Sequence, residues 1–315
     1  MIEDVTWFGT PSMAGVICRP DSATTSDLPG VVLLSPGLLH RVGPNRVYVK
    51  LARSLADAGY TVLRFDLSGQ GETPPRADNL PLHVRAIAET GAAIDHLIES
   101  MGCRRVVLIG HCSGAVFGLM SAFADERIAG VVSISPEGGD EDWVEFDRRK
   151  KEARYYANYY GKGALADTGR WKRLLTGRAD YSSIARNVFR NIVWYRVTAQ
   201  AYRLRSVRGA SVKSADERPE VREFKDGLRT LAERQLPIIL IHPDQSAGRE
   251  LLRALLGDTL DEVRRTGNVQ VAVIPASDHM FTPLAAQREL IATIQEWLGQ
   301  TGALDAPASL VSVSR

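Results

Sequence analysis

Short apolar runs recur along the chain and alternate with longer stretches of helical spacing. The runs Val5–Phe8, Ala14–Cys18, Val31–Ser35, Thr61–Phe65, Val106–Ile109, Ala129–Ile134, Ile238–Ile241 and Val269–Ile274 are rich in Val and Ile and are bounded by Gly, Pro or Asp. That pattern predicts strands. The later runs are apolar throughout, as strands buried on both faces are. Between them, Asn45–Ala58, Leu80–Met101, Gly114–Ala124, Ala247–Leu256 and Leu284–Leu298 read as helices. Strand–helix alternation predicts an α/β fold with a mostly parallel sheet of eight strands and helices on both faces. Right-handed crossovers put the loops after the strands on one edge, where ligands bind.

One region breaks the alternation. Residues 137–234 contain no convincing strand, and their Tyr, Trp, Leu and Val spacing suits amphipathic helices. An insertion there, between one strand and the next, predicts a helical cap over the active edge. The expected division is a core of residues 1–136, a cap over 137–234, a second core segment over 235–302 and a flexible tail over 303–315. The formal net charge of +2 hides an asymmetry. Asp147–Arg229 holds 21 Lys and Arg against 9 Asp and Glu. Such a block either steers an anionic partner or coats solvated helix faces.

Composition narrows the setting. A length of 315 residues, 44% hydrophobic and 24% charged, is ordinary for a globular enzyme. Cys18, Cys103 and Cys112 are too widely spaced for a disulfide framework or a zinc site. No metal and no cofactor are expected. The acidic N-terminus lacks a long apolar core, and no run is long enough to cross a bilayer. A cytoplasmic protein that binds no membrane and no nucleic acid is the expectation.

The chemistry concentrates at VVLIGHCSGAVFG, Val106–Gly118. A nucleophile elbow needs a strand, a sharp turn and a helix, with small residues two before and two after the nucleophile. Gly110 and Gly114 hold those places around Cys112, and Ser113 falls one position late. A thiol there works as the thiolate, which a helix N-terminus and a neighbouring His favour. Cys18 and Cys103 lack this context and read as structural.

The elbow needs a base, an acid and oxyanion donors. Of the six histidines, His279 is best placed, after the last strand and before the final helix. It would take the thiol proton and later protonate the leaving group. Asp244, after the penultimate strand, is the first choice for the carboxylate that orients it, and Glu137 is the alternative. Asp278 reads as a turn residue, and Asp66 as holding a turn. The N–H groups of Ser113 and Leu38 are the expected oxyanion donors. His40 and Arg41 lie just beyond Leu38 and either touch substrate or brace the loop. His111 adjoins the nucleophile and either shapes the substrate pocket or points into the sheet layer. His83 and His96 are expected on a helix surface.

The segments SPG (35–37), RFDLSGQGET (64–73), GHCSG (110–114), HPD (242–244) and SDHMF (277–281) stand in the order found in α/β-hydrolases, which the chain resembles over nearly its whole length. More narrowly, HRVGPNR, WKRLLTGRADY and the Cys-bearing elbow resemble a bacterial branch of serine-aminopeptidase-like hydrolases. Members of that branch occur near exopolysaccharide or specialised-metabolite genes. The resemblance implies the α/β-hydrolase fold with a helical cap, a nucleophile at Cys112, an acid at Asp244 and a base at His279. Two departures stand out: many relatives carry Ser at the elbow, and the family acid often lies two residues beyond Asp244, at Ser246 here.

Three functions follow as expectations. The first is acyl transfer from a thioester through an acyl-Cys112 intermediate, to water (a thioesterase) or to an amine or hydroxyl (an acyltransferase). The donor would be carried by an acyl-carrier protein or coenzyme A, and the enzyme would be a monomer or homodimer. The second is hydrolysis of small esters or lactones. The third is non-catalytic binding on a hydrolase scaffold.

Overall fold

The computed structural model describes residues 1–21, 28–37, 39–78, 80–136, 219–245 and 248–300. Eight strands form one sheet: β1 Ile2–Phe8, β2 Met13–Arg19, β3 Gly30–Leu34, β4 Val62–Phe65, β5 Val106–His111, β6 Ile128–Ile134, β7 Ile238–Pro243 and β8 Val269–Ile274. Their order is β1-β2-β4-β3-β5-β6-β7-β8. β1 and β2 run antiparallel, and every pairing from β3–β4 to β7–β8 is parallel. The described helices are α1 Val47–Asp57, α2 Leu82–Met101, α3 Ser113–Ala124, α4 Pro219–Glu233, α5 Gly248–Leu256, α6 Asp258–Arg265 and α7 Leu284–Gln300.

The two-residue period of a strand divides the core into two layers. Val31 and Leu33 of β3 face α1 and α7, meeting Leu51, Leu55, Leu290 and Ile294. Val32 and Leu34 face the opposite way, into a cluster with Leu97 of α2, Leu119 of α3 and Leu231 of α4. The central strands are buried along their whole length, which explains their unbroken apolar runs. β8, an edge strand, is only partly buried.

Three details differ from the sequence expectation. Residues 219–233, assigned to the cap, form α4 and pack on the core. Val221, Phe224, Leu228 and Leu231 recur at helical spacing, and that stripe needs an apolar surface. It finds α3, where the Phe123 and Phe224 rings meet edge to face at 5.6 Å. The contacts accordingly group α4 with the sheet and its flanking helices. The rest of the expected cap and the expected tail lie outside the described residues. Helix α6 escapes sequence reading because it is short and charged, with only Thr259, Leu260 and Val263 buried. His96, expected at the surface, is half-buried and stacks on Phe8 at 4.9 Å, with its ring nitrogens meeting Thr6 Oγ1 and Ser100 Oγ.

The tightest backbone approach lies between β3, β5 and α3. A Cβ on Gly110 would sit 2.1 Å from the carbonyl oxygen of Gly114, and one on Gly114 would sit 2.3 Å from that of Leu34. Backbone on both sides leaves nothing to yield. Gly114→Ala is expected to lower the urea-unfolding free energy by about 2 kcal/mol or more. Gly91→Ala is the control: open space surrounds that position inside α2, and the change is expected to be neutral or stabilising by about 0.5–1 kcal/mol.

Candidate active site

Cys112 occupies the tip of the turn between β5 and α3, with φ 55° and ψ −120°. A side chain at such a φ is costly and persists only when its surroundings fix it. Here they do. The Cys112 N–H donates to the carbonyl of Ile134 at 2.9 Å, and its own carbonyl accepts from Ala115 N at 3.1 Å. The side chain is half-buried, and the first turn of α3 presents its positive dipole end to it. Among the described residues, the non-glycine positions with left-handed φ are Asn45, Arg46, Cys112, Ser135, Gln235, Ala276 and Phe281. All but Gln235 lie in the loops at this one edge, so backbone strain is concentrated around the thiol.

His279 stands in the loop between β8 and α7, half-buried. Its Nδ1 lies 3.1 Å from the Ser135 hydroxyl. Ser135 is itself fully buried at φ 48°, held by its N–H donating to Ile241 O at 2.7 Å. The backbone carbonyl of His279 accepts from Nε2 of His111 at 2.8 Å, and the two rings pack with centroids 4.7 Å apart. A carbonyl only accepts, so His111 carries its proton on Nε2. Phe281, fully buried, meets the His111 ring edge-on at 6.0 Å. Thus His111, the residue before Cys112, supports His279 at its backbone carbonyl and its ring.

The same loop is held at both ends. The Asp244 carboxylate accepts from Ala276 N at 2.8 Å and Ser277 N at 2.9 Å. Asp278 Oδ1 accepts from Met280 N and Thr282 N, each at 3.0 Å, as its reading as a turn residue requires. Asn45 Nδ2 donates to Met280 O at 3.0 Å. Asp244 therefore reaches the His279 loop through its backbone, while the group at 3.1 Å from the imidazole Nδ1 is the Ser135 hydroxyl. Glu137, the alternative acid, and Leu38, an expected oxyanion donor, lie outside the described residues.

The loop after β3 meets the elbow and the loop after β4. Gly37, at φ 51°, donates its N–H to Ser113 Oγ at 2.7 Å, and its carbonyl accepts from Gln70 Nε2 at 2.6 Å. Arg41 donates its N–H to Asp66 Oδ1 at 2.5 Å, and its guanidinium pairs with Asp66 and Glu72. Arg41 thus braces this loop, its guanidinium paired with two carboxylates. Asp66 is buried and holds the turn, with Gly71 so close that a Cβ there would fall 2.0 Å from its Oδ2. His40 is exposed, and its carbonyl accepts from Gly43 N. His111 is 2% exposed. Its Nε2 bonds the His279 carbonyl and its ring packs on the His279 ring.

Sequence reading missed Ser135, the Ser113 hydroxyl and Gln70. Ser135 had a faint signal, a polar residue directly after a mostly apolar strand. Ser113, at the start of α3, and Gln70, in a loop, have partners 76 and 33 positions away.

Residues 31–293 match the model of the alpha/beta hydrolase family. The chain belongs to that family. Two solved structures show how far its fold is shared. Proline iminopeptidase from Mycobacterium smegmatis superposes with a TM-score of 0.54 at 16% identity, covering 95% of this chain and 98% of that one. Dienelactone hydrolase from Anabaena variabilis gives 0.52 at 14% identity, covering 95% and 97%. At such identities the likeness is one of fold. No curated protein matches the sequence. In this chain Cys112 stands at the turn between β5 and α3, and His279 in the loop after β8. Among the described residues no group of His, Cys, Asp and Glu is arranged to hold a metal ion, and no helix is long and apolar enough to cross a membrane.

The N–H groups of Ser277 and Ala276 hold the Asp244 carboxyl below its usual range. A depressed carboxylate stabilises the fold above its unfolded value of about 3.9, and that contribution is lost as pH falls through the folded value. Urea midpoints measured from pH 6 to 2.5 are expected to fall less steeply for Asp244→Asn than for the wild type, since the amide does not titrate. Equal slopes would show that the clasp contributes nothing.

Proposed function

We propose that the protein is a cysteine-dependent acyl-transfer enzyme that takes its acyl group from a thioester through an acyl-Cys112 intermediate. The observation that carries this reading is the thiol at the strained tip of the elbow, between β5 and the N-terminus of α3. His279 takes the proton from Sγ, and the sulfur attacks the carbonyl carbon. The tetrahedral oxyanion is held by the Ser113 N–H and by the loop after β3. Collapse breaks the bond to the donor thiol, which leaves with the proton from His279. Water, an amine or a hydroxyl then gives its proton to His279 and attacks the acyl-Cys112 carbonyl, restoring the thiol. Exchange between two thioesters is nearly balanced in energy, which suits a thiol nucleophile better than a hydroxyl.

Three further assignments belong to this reading. The basic stretch Asp147–Arg229 suits the phosphates of coenzyme A or an acidic carrier protein as donor. Its aromatic content suits an apolar acyl group. The likeness to the Cys-bearing, serine-aminopeptidase-like branch points to biosynthesis of a specialised metabolite or polysaccharide in the cytoplasm. Asp244 is the proposed acid and Glu137 the alternative. A second reading, hydrolysis of small esters or lactones, draws support from the fold shared with dienelactone hydrolase.

Intact-mass spectrometry after mixing with acyl-coenzyme A and acyl-pantetheine donors tests the proposal. The wild type is expected to gain one acyl mass, and Cys112→Ala none. Absence of any adduct, with Cys112→Ala turning over simple esters as fast as the wild type, would sink both Cys-based readings. Fast turnover of oxygen esters with no preference for thioesters would favour the second. For the acid, whichever of Asp244→Asn and Glu137→Gln removes the orienting carboxylate is expected to lower kcat on the order of 10³–10⁴-fold. The other is expected to cost less than roughly tenfold.

A further inference from the structure

Ser113 was expected to serve only through its backbone, yet its hydroxyl makes the one described link from the elbow to the Gly37 backbone. Gly37 sits at φ 51°, and nothing lies within 4 Å of where a Cβ would be. A glycine in open space has the greatest backbone freedom of any residue. Two side chains remove it. Ser113 Oγ takes the Gly37 N–H at 2.7 Å, and Gln70 Nε2 donates to the Gly37 carbonyl at 2.6 Å. Both polar backbone groups of Gly37 are thus bound, which restricts the conformations that a glycine would otherwise explore. Oxyanion stabilisation depends on preset donors.

The anchors are themselves fixed. Ser113 opens α3, directly after the strained Cys112. Gln70 is 7% exposed. Its N–H donates to Leu67 O at 3.0 Å, and its carbonyl accepts from Thr73 N at 2.9 Å. Below it, Ser68 N donates to the buried Glu89 carboxylate at 2.9 Å.

We propose that Ser113 and Gln70 are positioning residues for the oxyanion pocket, clamping Gly37 by both of its polar backbone groups. This rests on the acyl-transfer reading. The Ser113 residue then sets both walls: its backbone N–H faces the oxyanion from the elbow, and its hydroxyl fixes the loop opposite. It also explains why a hydroxyl stands beside a thiol nucleophile without being one.

The test separates two reactions of the same sulfur. Acylation by an activated acyl thioester forms the S–C bond at a carbonyl and develops an oxyanion. Alkylation by iodoacetamide forms the S–C bond at a saturated carbon, with iodide leaving, and develops none. Both rates are read by intact mass on the wild type, Ser113→Ala, Ser113→Thr, Gln70→Met and the Ser113→Ala/Gln70→Met double variant. Ser113→Ala and Gln70→Met are each expected to slow acylation about tenfold or more and to leave alkylation within about twofold. Ser113→Thr, which keeps the hydroxyl, is expected to restore most of the rate. The double variant is expected to lose less than the product of the single losses, since both act on one glycine. A wild type that is alkylated but never acylated overturns the acyl-transfer reading and this inference with it. A wild type that is acylated, with Ser113→Ala and Gln70→Met acylated equally fast, overturns this inference alone. Parallel loss of acylation and alkylation also overturns it, since that would place the effect on the thiol or the fold.

Discussion

Everything at the active edge depends on how closely three pieces of backbone approach one another. β5 delivers the chain to Cys112, α3 carries it away, and β3 runs alongside. Gly110 and Gly114 are the contact points, and a single methyl at either would drive into a carbonyl oxygen within 2.3 Å. Only with both side chains absent can the chain reverse so sharply that Cys112 stands at its tip with φ 55°. The strain at Cys112 is therefore held by the close backbone packing beneath it.

The proposed base is held by a different kind of constraint. His279 lies in a loop, where chain entropy works against a fixed geometry. Ser135 meets its Nδ1, His111 takes its carbonyl, and Asp244 clasps the N–H groups of Ala276 and Ser277. Those ties come from the ends of β6, β5 and β7, so the sheet itself sets where the imidazole stands. His111 gives the elbow and the base a shared wall, since it is bonded along the chain to Cys112 and packed against the His279 ring.

The opposite side of the site is a polar frame built by the loop after β4. Asp66 and Glu72 occupy Arg41, Gln70 occupies the Gly37 carbonyl, and Glu89 supports Ser68. Buried charges of this kind are stable because each is paired or hydrogen-bonded. Their product is a Gly37 held by both polar backbone groups although it sits at a left-handed φ.

The sequence by itself determined the central strands of a mostly parallel sheet, because strands buried on both faces leave largely apolar runs. It also determined the elbow, since the Gly110–Cys112–Gly114 spacing answers a steric need that is local in the chain. The roles of Ser135, His111, Arg41 and Gln70 were decided only by the tertiary structure. Their partners lie 25 to 168 positions away along the chain. A side chain's hydrogen bonds across such distances follow from which strand ends the sheet brings together, and no local pattern records them. The same reason moved residues 219–233 from the expected cap to the core: the apolar stripe was legible, but the surface that receives it, α3, exists only once the sheet has formed.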